Sequence, residues 1–234
     1  MSSHDRARTQ RIRLVGAAAA RLAAACAVPA VYAVWVRPRM LVWGATPWET
    51  SRAYPGDELI PDADNSVFTM ATTLPAPPEK VWPWLAQMGF GRAGWYSWDR
   101  LDNGGKPSAD RIVPEWQDLQ VGAHLIEARD GRSWFTVERA EPNRTLVLRS
   151  AIELPSGRSF DPSGPMPRAY ADGVWSFNLA PTSAGHTRLV ARMRGKSRPE
   201  MLTRPFGLVA GDVVHFIMQT RQFHNLRTRV GAQA

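Results

Sequence analysis

Between residues 67 and 193 the apolar positions recur mostly at every second residue, with one short stretch of helical spacing near the start. Val67 to Leu74 sets Phe68, Met70 and Leu74 among β-branched neighbours and predicts a strand. Pro75-Ala76-Pro77-Pro78 ends it. A helix follows, with Pro77 and Pro78 around its first turn, where a missing N–H costs little. Val81, Trp82, Leu85 and Met88 share its apolar face, and Gly89 stops it. Alternation resumes in Gly122–Glu127, Trp134–Glu138, Thr145–Ser150, Val174–Leu179 and Thr187–Met193, most clearly in Trp175-Ser176-Phe177-Asn178-Leu179. A Pro/Gly/Ser-rich stretch from Leu154 to Asp172 is long for a connection and predicts a lid or an excursion. From about Phe206 to Val230 the spacing of Val209, Val213, Phe216, Ile217, Thr220, Phe223 and Leu226 predicts one long helix.

Strand, helix, irregular segment, several antiparallel strands and a long terminal helix describe an α+β, helix-grip architecture. A curved antiparallel sheet wraps the C-terminal helix. Such a sheet cannot close tightly on itself, so the space between sheet and helix tends to become a cavity.

A different pattern occupies the N-terminus. Leu14 to Val36 is Ala/Val-rich, flanked by Arg6, Arg8, Arg11 and Arg13 before it and Arg37 and Arg39 after it. As a helix it would be about 34 Å long, close to the thickness of the hydrocarbon layer. Residues 14–36 are therefore expected to attach the chain to a cell membrane, as a single pass or peripherally. Arg21 and Pro29 interrupt the run, and a cleaved signal peptide or a soluble Ala-rich arm are the competing readings. Residues 1–13 form a basic arm, and residues 37–65 a Pro- and Asp-punctuated linker that packs on the domain through Trp43 and Trp48. Residues 66–230 make the domain.

Composition, 44% hydrophobic and 21% charged, fits a globular chain. The single cysteine, Cys26, excludes an internal disulfide and every multi-cysteine metal site. The net charge of +8 is uneven. Residues 1–39 hold seven arginines against Asp5, and residues 188–234 hold nine basic residues against Glu200 and Asp212, so the middle is net acidic. That distribution argues against a nucleic-acid partner, which calls for a basic stripe on the domain itself.

Gly89-Phe90-Gly91-Arg92-Ala93-Gly94 spells G-x-G-x-x-G but follows a helix instead of a strand, which reads as a turn and not a dinucleotide site. The histidines His4, His124, His186, His215 and His224 show no ligand spacing, so neither metal nor cofactor is expected. Chemistry concentrates instead between Gly89 and Gly122. Trp95, Tyr96, Trp98 and Trp116 either line a cavity mouth or plug one end of the sheet, with Phe177 and Phe216 facing the same interior. Asp99, Asp102, Asp110, Arg111 and Glu115 supply either an acid/base group or an ion-pair network pinning an irregular segment, the second being preferred.

Pro77-Pro78-Glu79-Lys80-Val81-Trp82-Pro83-Trp84-Leu85 resembles the first-helix opening of the START/Bet v 1-like (SRPBCC; polyketide cyclase/dehydrase-like) superfamily. Arg37-Pro38 through Trp43-Gly44-Ala45-Thr46, Gly94-Trp95-Tyr96-Ser97-Trp98-Asp99 with Leu101-Asp102-Asn103, and Ser108 through Gln117 resemble an uncharacterised bacterial branch of it. The resemblance spans about residues 37–230. It implies a cavity for a hydrophobic small molecule or lipid and no particular reaction. A polyketide cyclase/dehydratase-like enzyme, and a membrane-associated interaction protein with a filled interior, are the alternatives. Neither the ligand nor the oligomeric state is legible.

Overall fold

The computed structural model describes residues 29–63 and 66–232. Most of the expected membrane segment, residues 14–28, lies outside the described residues. The chain divides into two units, Met1–Met40 and Leu41–Ala234. In the first, residues 29–40 are helical, with a π-helical turn Tyr32–Val36 running into α1 (Arg37–Leu41). Val34 and Trp35 are exposed there, and the Arg39 guanidinium lies 5.1 Å from the Trp35 ring centre.

The second unit is built on six strands: β1 (Phe68–Leu74), β2 (His124–Ile126), β3 (Trp134–Glu141), β4 (Thr145–Glu153), β5 (Tyr170–Pro181) and β6 (Thr187–Arg198). Their order across the sheet is β1-β6-β5-β4-β3-β2, and every neighbouring pair is antiparallel. The short helices are α2 (Pro47–Ser51), α3 (Pro78–Ala86) and α4 (Asp99–Asp102). α5 (Glu200–Phe206), a π-helical turn (Gly207–Gly211) and α6 (Asp212–Gly231) form one 32-residue helix. The helix begins six residues before the sequence pattern places it. Pro205 lies inside α5, and the glycines at 207 and 211 bound the π turn that follows without ending the helix.

α6 lies on one face of the sheet. Phe223, Leu226 and Val230 join Met70, Leu74, Leu146, Leu148, Phe177 and Leu189 in the main core, with Val81, Trp84, Leu85 and Met88 from α3 and the residue after its turn. Inward positions on β5 and β6 include Trp175, Phe177 and Leu179 paired with Met193, Ala191 and Leu189. One pair on this face is Gly173 opposite Gly195, where no side chain stands. A Cβ on Gly195 would meet the Asp172 carbonyl oxygen at 2.6 Å, so the two backbones approach more closely here than another residue permits.

The opposite face of the sheet is covered by residues 41–63, which act as a strap. Outward positions of β6 carry a row of cations, and the strap supplies the anions. Glu49 accepts from Arg188 through both carboxylate oxygens, at 2.7 and 2.8 Å. Asp57 pairs with Arg192 at 2.8 Å and Asp62 with Lys196 at 2.9 Å. The Arg188 hydrogen bond holds the Glu49 carboxyl well below the usual range, at about 2. Tyr54 packs with Ala71 and Val190, and Ile60 with Val147 and Val174. Three of the nine basic residues counted in 188–234 are thereby consumed inside the fold. Trp43 stacks on Phe223 with ring centres 6.2 Å apart, whereas Trp48 stays exposed under Arg52.

The stretch 154–169 is held at both ends and along its course. Leu154 N–H donates to the Ala169 carbonyl, and Phe160 N–H to that of Ala151.

Candidate functional site

The widest concentration of rings lies between the sheet and the front of α6. Trp95 sits 5.3 Å from Phe135 and 6.0 Å from Trp175, ring centre to ring centre. Trp175 is 4.6 Å from Phe177 and 6.2 Å from His215, and His215 is 4.5 Å from Phe68. Trp95 and Phe177 are sealed in the core. Phe135, Trp175, Met193, His215 and Phe216 face the same interior yet remain only half-buried. Sheet and helix therefore do not close on each other at this end, in front of the Gly173–Gly195 pair.

A chain of amides fixes the back of this cleft. The Trp175 indole N–H donates to Gln219 Oε1 at 3.0 Å, Gln219 Nε2 to Gln222 Oε1 at 2.8 Å, and Gln222 Nε2 to the Trp95 carbonyl at 2.9 Å. Both glutamines are fully buried, and such groups are stable inside only when their donors and acceptors are matched. The chain locks Trp175 and Trp95 in place, and of the two Trp175 keeps surface open to solvent.

His215 is the titratable side chain among these rings. Burial against Phe68 and Trp175 pushes its imidazole down to about 4. It is thus neutral across the physiological range, offering one donor and one acceptor nitrogen. The unfolded chain takes up a proton near pH 6.5, before the folded chain does. The His215 contribution should hold above that pH and be lost as pH falls towards 4, by about 3 kcal/mol at most. Substituting His215→Phe is expected to narrow the gap between urea midpoints measured at pH 7 and pH 4.5. An unchanged gap would mean that the imidazole is not shielded.

The other residues expected from the sequence are dispersed. Tyr96 is buried; its hydroxyl accepts from Gln87 Nε2 at 2.7 Å, Arg229 lies 5.0 Å from its ring centre, and burial pushes its phenol up. Trp98 faces outward beneath Arg221, 4.9 Å away. Trp116 is half-buried, and its carbonyl accepts from Arg92. Asp110, Arg111 and Glu115 are exposed, and among the described residues none of the three forms an ion pair. Asp99 accepts a 2.5 Å hydrogen bond from Ser108. The carboxyl that burial does shift is Asp102, raised to about 6, with the nearby Asp99 charge adding to the effect. The irregular segment is held less by ion pairs than by three side chains that reach its backbone, two of them, Gln87 and Arg229, from outside it. Gln87 takes the Arg111 carbonyl and the Val113 N–H, Arg92 the Trp116 carbonyl, and Arg229 the carbonyls of Ser108 and Ala109.

Gly89 and Gly94 exchange backbone hydrogen bonds and close the G-x-G-x-x-G run into a tight turn. A cavity of about 210 Å³ borders it, lined by Phe90, Gly91, Arg92, Asn103, Lys106 and Pro107. It does not share residues with the aromatic cleft. Among the described residues no group of three or more His, Cys, Asp and Glu is placed to hold a metal ion.

Trp175, Phe135, Met193 and His215 were not singled out by sequence. For Trp175 the signal was present, since it lies two residues before Phe177 on the same face of a clearly alternating strand. His215 falls one position before Phe216 and carried no such mark.

No family model matches the chain, and no curated protein matches it. Solved structures do. Protein MLL2253 from Mesorhizobium loti is 18% identical with a TM-score of 0.42, covering 72% of this chain and 98% of its own. DynU16, from the dynemicin biosynthetic locus, is 14% identical with a TM-score of 0.41, covering 70% of this chain and 48% of its own. CalU16 from Micromonospora echinospora is 16% identical with a TM-score of 0.30, covering 71% of this chain and 84% of its own. At these values none of the three bears on what the chain binds or does.

Proposed function

We propose that this chain binds a hydrophobic small molecule or lipid in the cleft between the sheet and α6, and that residues 14–36 hold it at a membrane. The observation that carries the reading is the set of inward-facing but half-buried side chains Phe135, Trp175, Met193 and Phe216 in front of the paired glycines. Apolar surface left open to water inside a two-layer fold is unfavourable, by about 25 cal/mol for each Å² that a ligand could cover. A ligand with a flat or aliphatic body satisfies the rings, and the neutral His215 can hydrogen-bond a single uncharged polar group on it. The resemblance to the START/Bet v 1-like superfamily points the same way.

Trp175→Ala is expected to weaken binding of the neutral probe N-phenyl-1-naphthylamine by about tenfold, measured on the chain without residues 1–36. That is the loss of one aromatic wall, about 1–2 kcal/mol of contact. Trp98→Ala, outside the cleft, should leave binding unchanged. Equal affinity for both variants and the parent would place the site elsewhere. Native mass spectrometry of the same protein should reveal a co-purified apolar molecule.

One observation favours the cyclase/dehydratase-like alternative: a lone imidazole stands within an otherwise apolar cleft, where a proton-accepting or polarising group could act on bound substrate. Under that reading His215→Gln retains the bound molecule but abolishes its turnover.

A further inference from the structure

The aromatic cleft ends, at the β2 edge of the sheet, in a carboxylate. Glu127 N–H donates to the Ser133 carbonyl at 3.0 Å, which carries the β2–β3 pairing one step past Ile126 and Trp134. Side chains alternate along such a ladder. Leu125 is buried in the core and its partner Phe135 packs there too, so Glu127, two residues after Leu125, stands on the same inner face. The Trp95 indole N–H donates to the Glu127 carbonyl at 3.2 Å, which seats the residue beside the ring that meets Phe135 and Trp175.

This carboxylate is unmatched. Its Oε1 is buried and accepts no hydrogen bond, and among the described residues Glu127 forms no ion pair. The two arginines that follow it are turned elsewhere: Arg132 lies 3.7 Å from Asp130, and the Arg129 side chain runs against the Gly104 turn. On the inner face of the six strands, from Phe68 on β1 to Ser197 on β6, the other side chains are uncharged. The acid of α6, Asp212, is held by Ser66 ahead of β1, at the opposite edge of the sheet.

A molecule that fills the cleft strips the remaining water from Glu127. A desolvated acceptor left without a donor is costly, and more so when it is charged. The occupant must therefore bring the missing donor. Resting on the cleft reading above, we propose that Glu127 selects the ligand: the cleft takes an apolar body whose end beside Trp95 carries a hydrogen-bond donor, an alcohol or an amine, and rejects the same body ending in a carboxylate. A carboxylate has no proton to share and sets a like charge beside the first. The rings require that the body be apolar; Glu127 decides its end group. Free fatty acids are thereby excluded as occupants in that orientation.

The test is titration calorimetry on the full-length chain in phosphatidylcholine nanodiscs, with empty nanodiscs as the blank. Three ligands share one ring system: naphthylethanol, naphthylethylamine and naphthylacetate. The parent should bind the alcohol and the amine about tenfold more tightly than the acid. Glu127→Gln should bring the acid within about twofold of the alcohol, and Glu127→Asp, which keeps the charge, should keep the order. Equal affinities for the three in the parent, or an order that Glu127→Gln leaves intact, would overturn the proposal. Trp175→Ala separates this failure from a failure of the cleft itself. If it weakens all three ligands while Glu127→Gln changes none, the cleft stands and Glu127 is no selector. If it changes none, the cleft reading falls and takes the proposal with it.

Discussion

Replacing Gly44 by alanine is expected to destabilise the domain by about 3 kcal/mol and to lower its Tm by about 10 °C. Gly44 has φ +73°, and a Cβ there would stand 2.2 Å from the Ala71 carbonyl oxygen. That oxygen belongs to a strand that cannot yield. Ala71 N–H donates to the Trp43 carbonyl at 3.0 Å, and β1 is paired with β6 along its whole length. The strap would have to lift, and the Arg188 guanidinium, which donates to the Gly44 carbonyl at 2.7 Å, would lose that bond. Gly105 provides the control. Its φ is +80°, but nothing lies within 4 Å of an added Cβ, so Gly105→Ala should show only the conformational cost of about 1 kcal/mol. Thermal unfolding followed by circular dichroism separates the two. Equal melting temperatures for them would remove the close approach of strap and β1 as a determinant of stability.

The second large effect is expected at Arg149. Its guanidinium grips Asp172 with two hydrogen bonds, at 2.9 and 2.8 Å, and the Asp172 side chain is 1% exposed. Arg149→Met would leave a carboxylate stranded in the sheet, a loss of about 3 kcal/mol. The double variant Arg149→Met/Asp172→Leu should recover most of that loss, because removing both charges also removes the cost of desolvating them. Urea unfolding of the three proteins reads this directly. A single variant within about 1 kcal/mol of the parent would mean that water reaches Asp172.

These sites illustrate what a sequence can and cannot disclose. The strands and the first helix were legible because each has an apolar face whose period repeats in order along the chain. Gly195 and Gly173 gave no warning, since their meaning depends on register across β5 and β6, which no local pattern encodes. The same holds for His215: its surroundings come from β1 and β5, more than a hundred and about forty residues away in sequence. The aromatic segment 95–116 was legible as unusual, but its rings part company in space. Trp95 faces the cleft, Tyr96 turns into a polar contact with Gln87, and Trp98 turns outward beneath Arg221. Adjacent residues on irregular backbone need not share a destination, because no fixed period governs where their side chains point. The C-terminal helix was legible from its spacing, and Phe216, Phe223 and Leu226 pack on the core as that spacing implies. Val209 and Ile217, which share the helical spacing, are exposed instead, because the helix turns a different side to the sheet along its front half.

The strap has a consequence for where this protein can be cut or recombined. A domain boundary drawn from alternation alone falls near residue 66, ahead of β1. Cutting there would strip Glu49, Asp57 and Asp62 from the sheet and leave Arg188, Arg192 and Lys196 as an uncompensated cationic ridge on β6. It would also bare Val147, Val174 and Val190. Such a fragment would be a good candidate for sticking to polyanions and to itself, and any affinity for nucleic acid or anionic vesicles found with it would be an artefact of the cut. The compact unit that holds the sheet begins at Leu41, and a chimera that exchanges β6 must exchange residues 41–63 with it.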